Sequence, residues 1–353
     1  MNSRPTILLL LLVSLLLMAP EAVAQQVTLK ATLQAATTHP FYGVSMVRLK
    51  EEIEKRSGGA IAIQIFDKSQ LAQDKEVVDA VSSGVADIGT TATHNYAKKA
   101  PAISFLDLPF LFNFKALMAA AARPGGEIRQ LIDNAILTQG GLRVLFWQGM
   151  GDTVFYSKGG RDVADVAHLK GQRVAVPGTA LEAFVAHCGG MPVALTVEKF
   201  HDGLKGGMLD MAMVTAPAVK SLRLWGVTDT MTFTGHSPVE FIFVINEKVW
   251  QSLAPHHRTA IAEAASHVEV EARERVARLE VEAARFAAEN GFKFQDLTPD
   301  QVTEWRACSA EMLADYMDNN GELARRLMAA YARLRTDPCC TAGPTSTVAF
   351  TRR

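Results

Sequence analysis

The chain has 353 residues, 48% of them hydrophobic and 21% charged, enough for two domains with cores of their own and unlike a fibre or a disordered tail. Lys and Arg number 36 against 37 Asp and Glu, so no net field is available to hold a polyanion, and nucleic acid makes a poor main partner. Small ligands or proteins remain.

The first segment is an address. Ile7 to Ala19 reads ILLLLLVSLLLMA with Ser14 its one polar residue, Arg4 precedes it, and Ala22-Val23-Ala24 follows. That is the pattern of a secretory signal peptide, and cleavage is expected after Ala24. A membrane-spanning helix would need roughly 20 apolar residues, and the run stops at Pro20-Glu21. No cysteine precedes Cys188, so a lipidated N-terminal cysteine is not available and the mature chain is expected to be soluble, periplasmic and unanchored. Cys188, Cys308, Cys339 and Cys340 are too few for a disulfide scaffold, and no pair has CxxC spacing. Two buried free thiols at Cys188 and Cys308 are the expectation, with a bridge between them as the alternative.

Residues 27 to 33 alternate as a strand, and a helix opens near His39-Pro40 with Tyr42, Met46, Leu49 and Ile53 at helical spacing. Ala60 to Phe66 forms the next strand, Asp74 to Ser83 the next helix, and Ala86 to Thr91 a third strand, a βαβαβ start. Further strands are expected at Leu142 to Trp147, Val154 to Ser157, Arg173 to Val176, Pro192 to Thr196, Leu209 to Val214, Thr230 to Thr234 and Val239 to Ile245. Helices separate most of them, so the fold class is α/β with mostly parallel sheets. The chain is expected to pass between domains at Gly149-Met150-Gly151 and again at Thr234 to Pro238. Pro255 to Asn290 carries Ile261, Ala265, Val268, Ala272, Val276, Leu279, Ala283 and Phe286 in steps of three and four. At ~1.5 Å per residue it would run about 54 Å, long enough to span both domains. The expected division is a signal peptide at 1–24, lobe I from 25–150 plus about 236–280, lobe II from 151–235 plus about 281–336, and a frayed tail over 337–353.

Catalytic signatures are missing. There is no HExxH, GxSxG, GxxxxGK[ST] or EF-hand loop, and Gly149 to Gly151 lacks the third glycine of a dinucleotide fingerprint. His187 and Cys188 are neighbours on a helix, about 100° apart, and do not face each other as base and nucleophile would. His39 and His94 each follow an early strand, where an open α/β sheet places its ligand crevice.

Several segments, taken in order, resemble the extracytoplasmic solute-binding proteins of TRAP transporters, the DctP-type family. They are HPFYGVSMVRLKEEIEKRSGGAIAIQIF, SQLAQDKEVVDAVSSGVADIG, FLDLPFLFN, GLRVLFW, DVAHLKGQRVAVPG and TFTGHSPVEFIFVINEKVWQSLAP. The resemblance implies two α/β lobes joined by hinge strands, a helix spanning both, and a small ligand, usually an organic acid, held between them. It also implies a permease of two integral subunits as partner, no cofactor and no catalysis; a monomer is the expectation, with a dimer the alternative. Rival readings are a receptor for a sensor or another transporter class, and an exported hydrolase.

The chain departs from the family where the ligand is held. The family's carboxylate-gripping Arg falls at Ala175, and a second Arg position aligns with Asp152. Asp210 to Thr215 is apolar where the family is polar. Either Arg173, two residues back on the strand, has replaced the missing cation, or the ligand is not a simple carboxylate. The expected pocket is lined by Phe110, Phe155, Tyr156 and Met213, with hydrogen bonds from Gln34, Thr91, Thr93, Asn95 and Thr215, and with His39 nearby. His236 is expected to orient a hinge strand.

Overall fold

The protein is described by a computed structural model covering residues 26–113 and 115–340. The expected leader and the chain beyond 340 lie outside the described residues. Strand β1 (Val27–Thr32), helix α1 (Tyr42–Arg56), strand β2 (Ile61–Phe66), helix α2 (Val77–Ser83) and strand β3 (Ile88–Ala92) form the expected start. β1 lies between β2 and β3 and runs parallel to both. Leu29, Ala31 and Leu33 share one core with Met46, Leu49 and Ile53, which explains the period of two in the strand and of three to four in the helix. Helix α2 ends at Gly84, whose φ of 84° is a left-handed cap that glycine adopts without strain. Helix α3 (Glu127–Gly140) closes the other face of this sheet.

The two short strands expected on either side of Gly149-Met150-Gly151 are a single strand, β4 (Leu142–Ser157). Beyond it lie β5 (Arg173–Val176), α4 (Thr179–His187), β6 (Met191–Ala194), β7 (Met211–Thr215), β8 (Thr230–Phe233) and β9 (Pro238–Asn246). β9 runs antiparallel to β4 from Leu142 opposite Asn246 to Asp152 opposite Pro238, with a register shift between Gly149 and Gly151. The glycines therefore make a bulge that bends the strand without ending its ladder. At its far end β4 pairs with β7 and β8. The overall order is β2-β1-β3-β9-β4-β7-β5-β6, with β8 also on β4, so β4 belongs to both lobes. The segment expected as the second crossing, Thr234 to Pro238, joins β8 to β9.

Helix α5 (Pro255–Glu289) spans both lobes as expected. Its first half buries Ile261, Ala264, Ala265 and Val268 in the lobe I core, and its last turns bury Ala283 and Ala287 in lobe II. After it come β10 (Lys293–Asp296), parallel to β8, then α6 (Pro299–Cys308) and α7 (Ala310–Thr336). The expected assignment of 281–336 to lobe II is corrected here. Trp305 of α6 is fully buried in lobe II, but α7 places Tyr316, Ala324, Leu327 and Tyr331 in the lobe I core. The Tyr316 hydroxyl donates to the Ala102 carbonyl at 3.0 Å, and the Tyr331 hydroxyl donates to that of Leu111. The C-terminal segment is thus a second strap across the lobes. Cys340 is buried in the same core, so the packed chain extends past the expected start of the tail at 337.

Cys188 and Cys308 are joined in a disulfide, which corrects the free-thiol expectation. Cys188 caps α4 and Cys308 ends α6, and packing of these helices brings the Cα atoms to 5.0 Å, within bonding range. The bond fastens the root of the C-terminal strap to lobe II.

Candidate functional site

The lobes meet at the carboxyl ends of their parallel strands, where an open α/β sheet leaves a crevice. A Cβ added to Gly178, which follows β5 in lobe II, would lie 2.8 Å from His94 Nε2 of lobe I. Only a residue without a side chain lets the two surfaces approach so closely, and the φ of 90° at Gly178 makes the same demand. Beside this contact a groove of about 310 Å³ is walled by His94, Asp107 and Leu108 of lobe I, Thr179, Ala183 and His187 of lobe II, and Asp315 and Tyr316 of α7. Thr93 donates to Asp107 Oδ1 at 2.8 Å, while Oδ2 is buried without a partner. Burial raises the Asp107 pKa, against the opposing pull of His94.

Of the lobe I polar residues expected to line the pocket, Gln34, Thr91 and Asn95 are brought together around Asp74, whereas Thr93 turns to Asp107. Asp74, in a 3₁₀ turn leading into α2, accepts from Gln34 Nε2 at 3.1 Å, the Thr91 hydroxyl at 2.7 Å and Asn95 Nδ2 at 2.9 Å. Asn95 Nδ2 also reaches Thr91 Oγ1 at 2.6 Å. Three donors on one carboxylate make a closed network rather than a set of free hands. In the sequence Asp74 looks like an ordinary helix-start residue, which hid this role.

His39 heads an aromatic stack. Its ring lies 4.1 Å from that of Tyr42, which lies 4.7 Å from Phe241 with the planes 5° apart. Burial lowers the His39 pKa to about 4, so the ring is neutral near pH 7, and its Nδ1 has no partner. Burial raises the Tyr42 pKa, reinforced by Asp74 of lobe I and Glu198 of lobe II, so this stack feels charge from both lobes. The helical spacing of Tyr42 points to core packing, and its place at the lobe boundary becomes visible only in three dimensions.

The apolar lining expected for the pocket is core instead. Phe155 and Met213 are fully buried with Phe184 and Trp305 in one lobe II cluster, and Tyr156 and Ala175 in another. The Tyr156 hydroxyl donates to the Ala216 carbonyl at 2.6 Å. Phe110, from lobe I, inserts into the Phe155 cluster, 6.1 Å edge-on from Phe184, and its N–H donates to the His236 carbonyl at 2.6 Å. It is a plug between the lobes. Thr215 is buried at the end of β7 opposite Thr153, and the Asp152 carbonyl accepts from Ala216 N–H at 3.2 Å beside it. Arg173 forks onto Asp210, with Nε to Oδ2 and Nη2 to Oδ1 both 2.9 Å, and its side chain is 40% exposed. The guanidinium is therefore a strand-end ion pair and not a relocated ligand cation. His236 is fully buried, bonded to Thr234 through Nδ1 and stacked 4.8 Å from Phe184, as suits a hinge-orienting role; burial lowers its pKa to about 3.

The family model "bacterial extracellular solute-binding protein, family 7" (DctP) matches residues 33–320. The C4-dicarboxylate-binding periplasmic protein DctP of Vibrio cholerae is 24% identical over 269 residues, covering 76% of this chain and 79% of that protein. The 2,3-diketo-L-gulonate-binding periplasmic protein YiaO of Escherichia coli is 22% identical over 226 residues, covering 63% of this chain and 67% of its own length. Two crystal structures share the fold at 20% identity. One is the Bordetella pertussis extracytoplasmic solute receptor DctP7 binding pyroglutamic acid, with a TM-score of 0.77 over 86% of this chain and 99% of that one. The other is a TRAP periplasmic solute-binding protein of Chromohalobacter salexigens with bound D-glucuronate, with a TM-score of 0.79 over the same shares.

Proposed function

Because the chain belongs to the bacterial extracellular solute-binding proteins of family 7, we propose that it is the periplasmic receptor of a TRAP-type transporter. It captures a small organic solute between its lobes and presents it to an integral-membrane permease. The observation that carries this reading is the double lobe crossed by β4 and β9 and strapped by α5 and α7, with polar groups gathered at the facing strand ends. Such a frame has hinges in the strands and bulk on either side, so a ligand touching both lobes stabilises the closed form by the difference in its affinity for the two states. The relatives named above bind small organic acids, which sets the size of solute. No described helix is long and apolar enough to cross a membrane.

The test is thermal-shift screening of the mature chain against a library of small acids, amines and polyols, with small-angle scattering on every hit. A saturating ligand at 100 times its Kd stabilises by about 2.7 kcal/mol, which moves the melting point by several degrees. A hit that also reduces the radius of gyration is the expected result. A library with no stabilising member and no compaction would remove the receptor reading.

A further inference from the structure

The charge and hydrogen-bond polarity of the interlobe site select among solutes. The Thr91 hydroxyl, Asn95 Nδ2 and Gln34 Nε2 at the lobe I strand ends all donate to Asp74, which leaves one N–H of Gln34 uncommitted. With it remain an unpartnered acceptor, Gln34 Oε1, beside that carboxylate, and the neutral His39 ring with Nδ1 unpartnered. Gln148 adds an independent sign of a ligand surface. It is fully buried on β4 directly opposite Phe241, so both side chains leave the sheet on one face, that of the His39–Tyr42–Phe241 stack; neither polar atom of its amide has a partner. Among the described residues no Lys or Arg is hydrogen-bonded to Asp74 or to these unpartnered atoms. Ala175 is buried in the core, and Arg173, two residues back on the same strand, is held by Asp210. The charges acting on Tyr42, at the lobe boundary, are the carboxylates Asp74 and Glu198.

A carboxylate entering this space would meet like charge, with neutral amide N–H donors such as Gln148 Nε2 and no guanidinium fork to receive it. An ammonium or hydroxyl group would meet carboxylate, amide oxygen and a neutral imidazole. We infer that the interlobe site takes a solute that presents N–H or O–H donors and carries no carboxylate. The inference rests on the receptor reading and narrows its ligand.

Calorimetric titration of the mature chain against three arms tests it: small amines such as ethanolamine, small polyols such as erythritol, and the acids succinate and pyroglutamate. Binding in the amine or polyol arm, at least tenfold tighter than for either acid, is the expected result. Asp74→Asn and the exposed Glu198→Gln then separate the two sources of donors. An amine should lose tenfold or more with Asp74→Asn and about threefold with Glu198→Gln, whereas a polyol should lose less than threefold with either. Because Asp74 holds three partners, its variant is read only if its melting curve stays cooperative, and Glu198→Gln carries the comparison otherwise. Saturable binding confined to the acid arm would overturn the inference while leaving the receptor reading intact. Silence in the amine and polyol arms together with a library hit that is an acid would also overturn the inference, whereas the receptor reading falls only if the whole library is silent.

Discussion

Glu240 gives the sharpest test of how burial is used in this molecule. It lies on β9 opposite Gly149, is 5% exposed, and has one carboxyl oxygen without a partner. Burial pushes its pKa up to about 7, against the pull of Arg273 and Arg129 and with a further push from Glu269. In the unfolded chain the group titrates near 4.5. Between those values the folded state keeps a proton that the unfolded state releases, so the native advantage is complete below about pH 4.5 and is lost as pH rises through about 7. The gap between 4.5 and about 7, at about 1.4 kcal/mol per pH unit, sets an upper bound of ~3.5 kcal/mol on the loss, of which the range from pH 5 to 8.5 covers the larger part. Glu240→Gln keeps the shape and removes the titration. Urea denaturation of both proteins at pH 5, 7 and 8.5 should show the variant gaining on the parent by up to ~3 kcal/mol across that range, with most of the gain between pH 5 and 7. The readout is the change in difference with pH, not the offset at any one pH, since the new amide brings its own hydrogen bonding. A constant difference at all three values, or a parent that gains on the variant as pH rises, would refute the argument.

Two further outcomes follow from the packing. Phe110→Ala removes the plug that lobe I sets into the Phe155 and Phe184 cluster, and it should cost about 3–5 kcal/mol in equilibrium unfolding, while Phe110→Leu should recover most of that. A loss under 1 kcal/mol would mean that the lobes do not depend on this contact. Reduction of Cys188–Cys308, which closes a loop of 120 residues, should lower unfolding stability by roughly 5 kcal/mol on the chain-entropy scale, measured as the shift in urea midpoint with and without reductant. An unchanged midpoint with both thiols titratable would show that packing of α4 against α6 suffices.

Local pattern was enough for the elements that bury one face. The three-to-four spacing through α5 predicted a helix spanning both lobes, and the βαβαβ start was legible because period and glycine placement act within a few residues. Ala175 was visible as a departure from the resembling family, but the surroundings that give it meaning were not. That Arg173 would pair with Asp210, and that Gln34, Thr91 and Asn95 would close on Asp74, depends on side chains 37, 40, 17 and 21 residues apart in the chain. Phe155 and Met213 have the composition of a ligand wall and of a core alike, and only the packing of α6 and its Trp305 against them decided for core. The same holds for α7, whose amphipathic face is plain in the sequence although nothing local says which lobe it meets. The sequence by itself determined the period of each element and its buried face. Tertiary structure decided the partners, because burial and hydrogen bonding are settled between surfaces that the chain brings together from far apart.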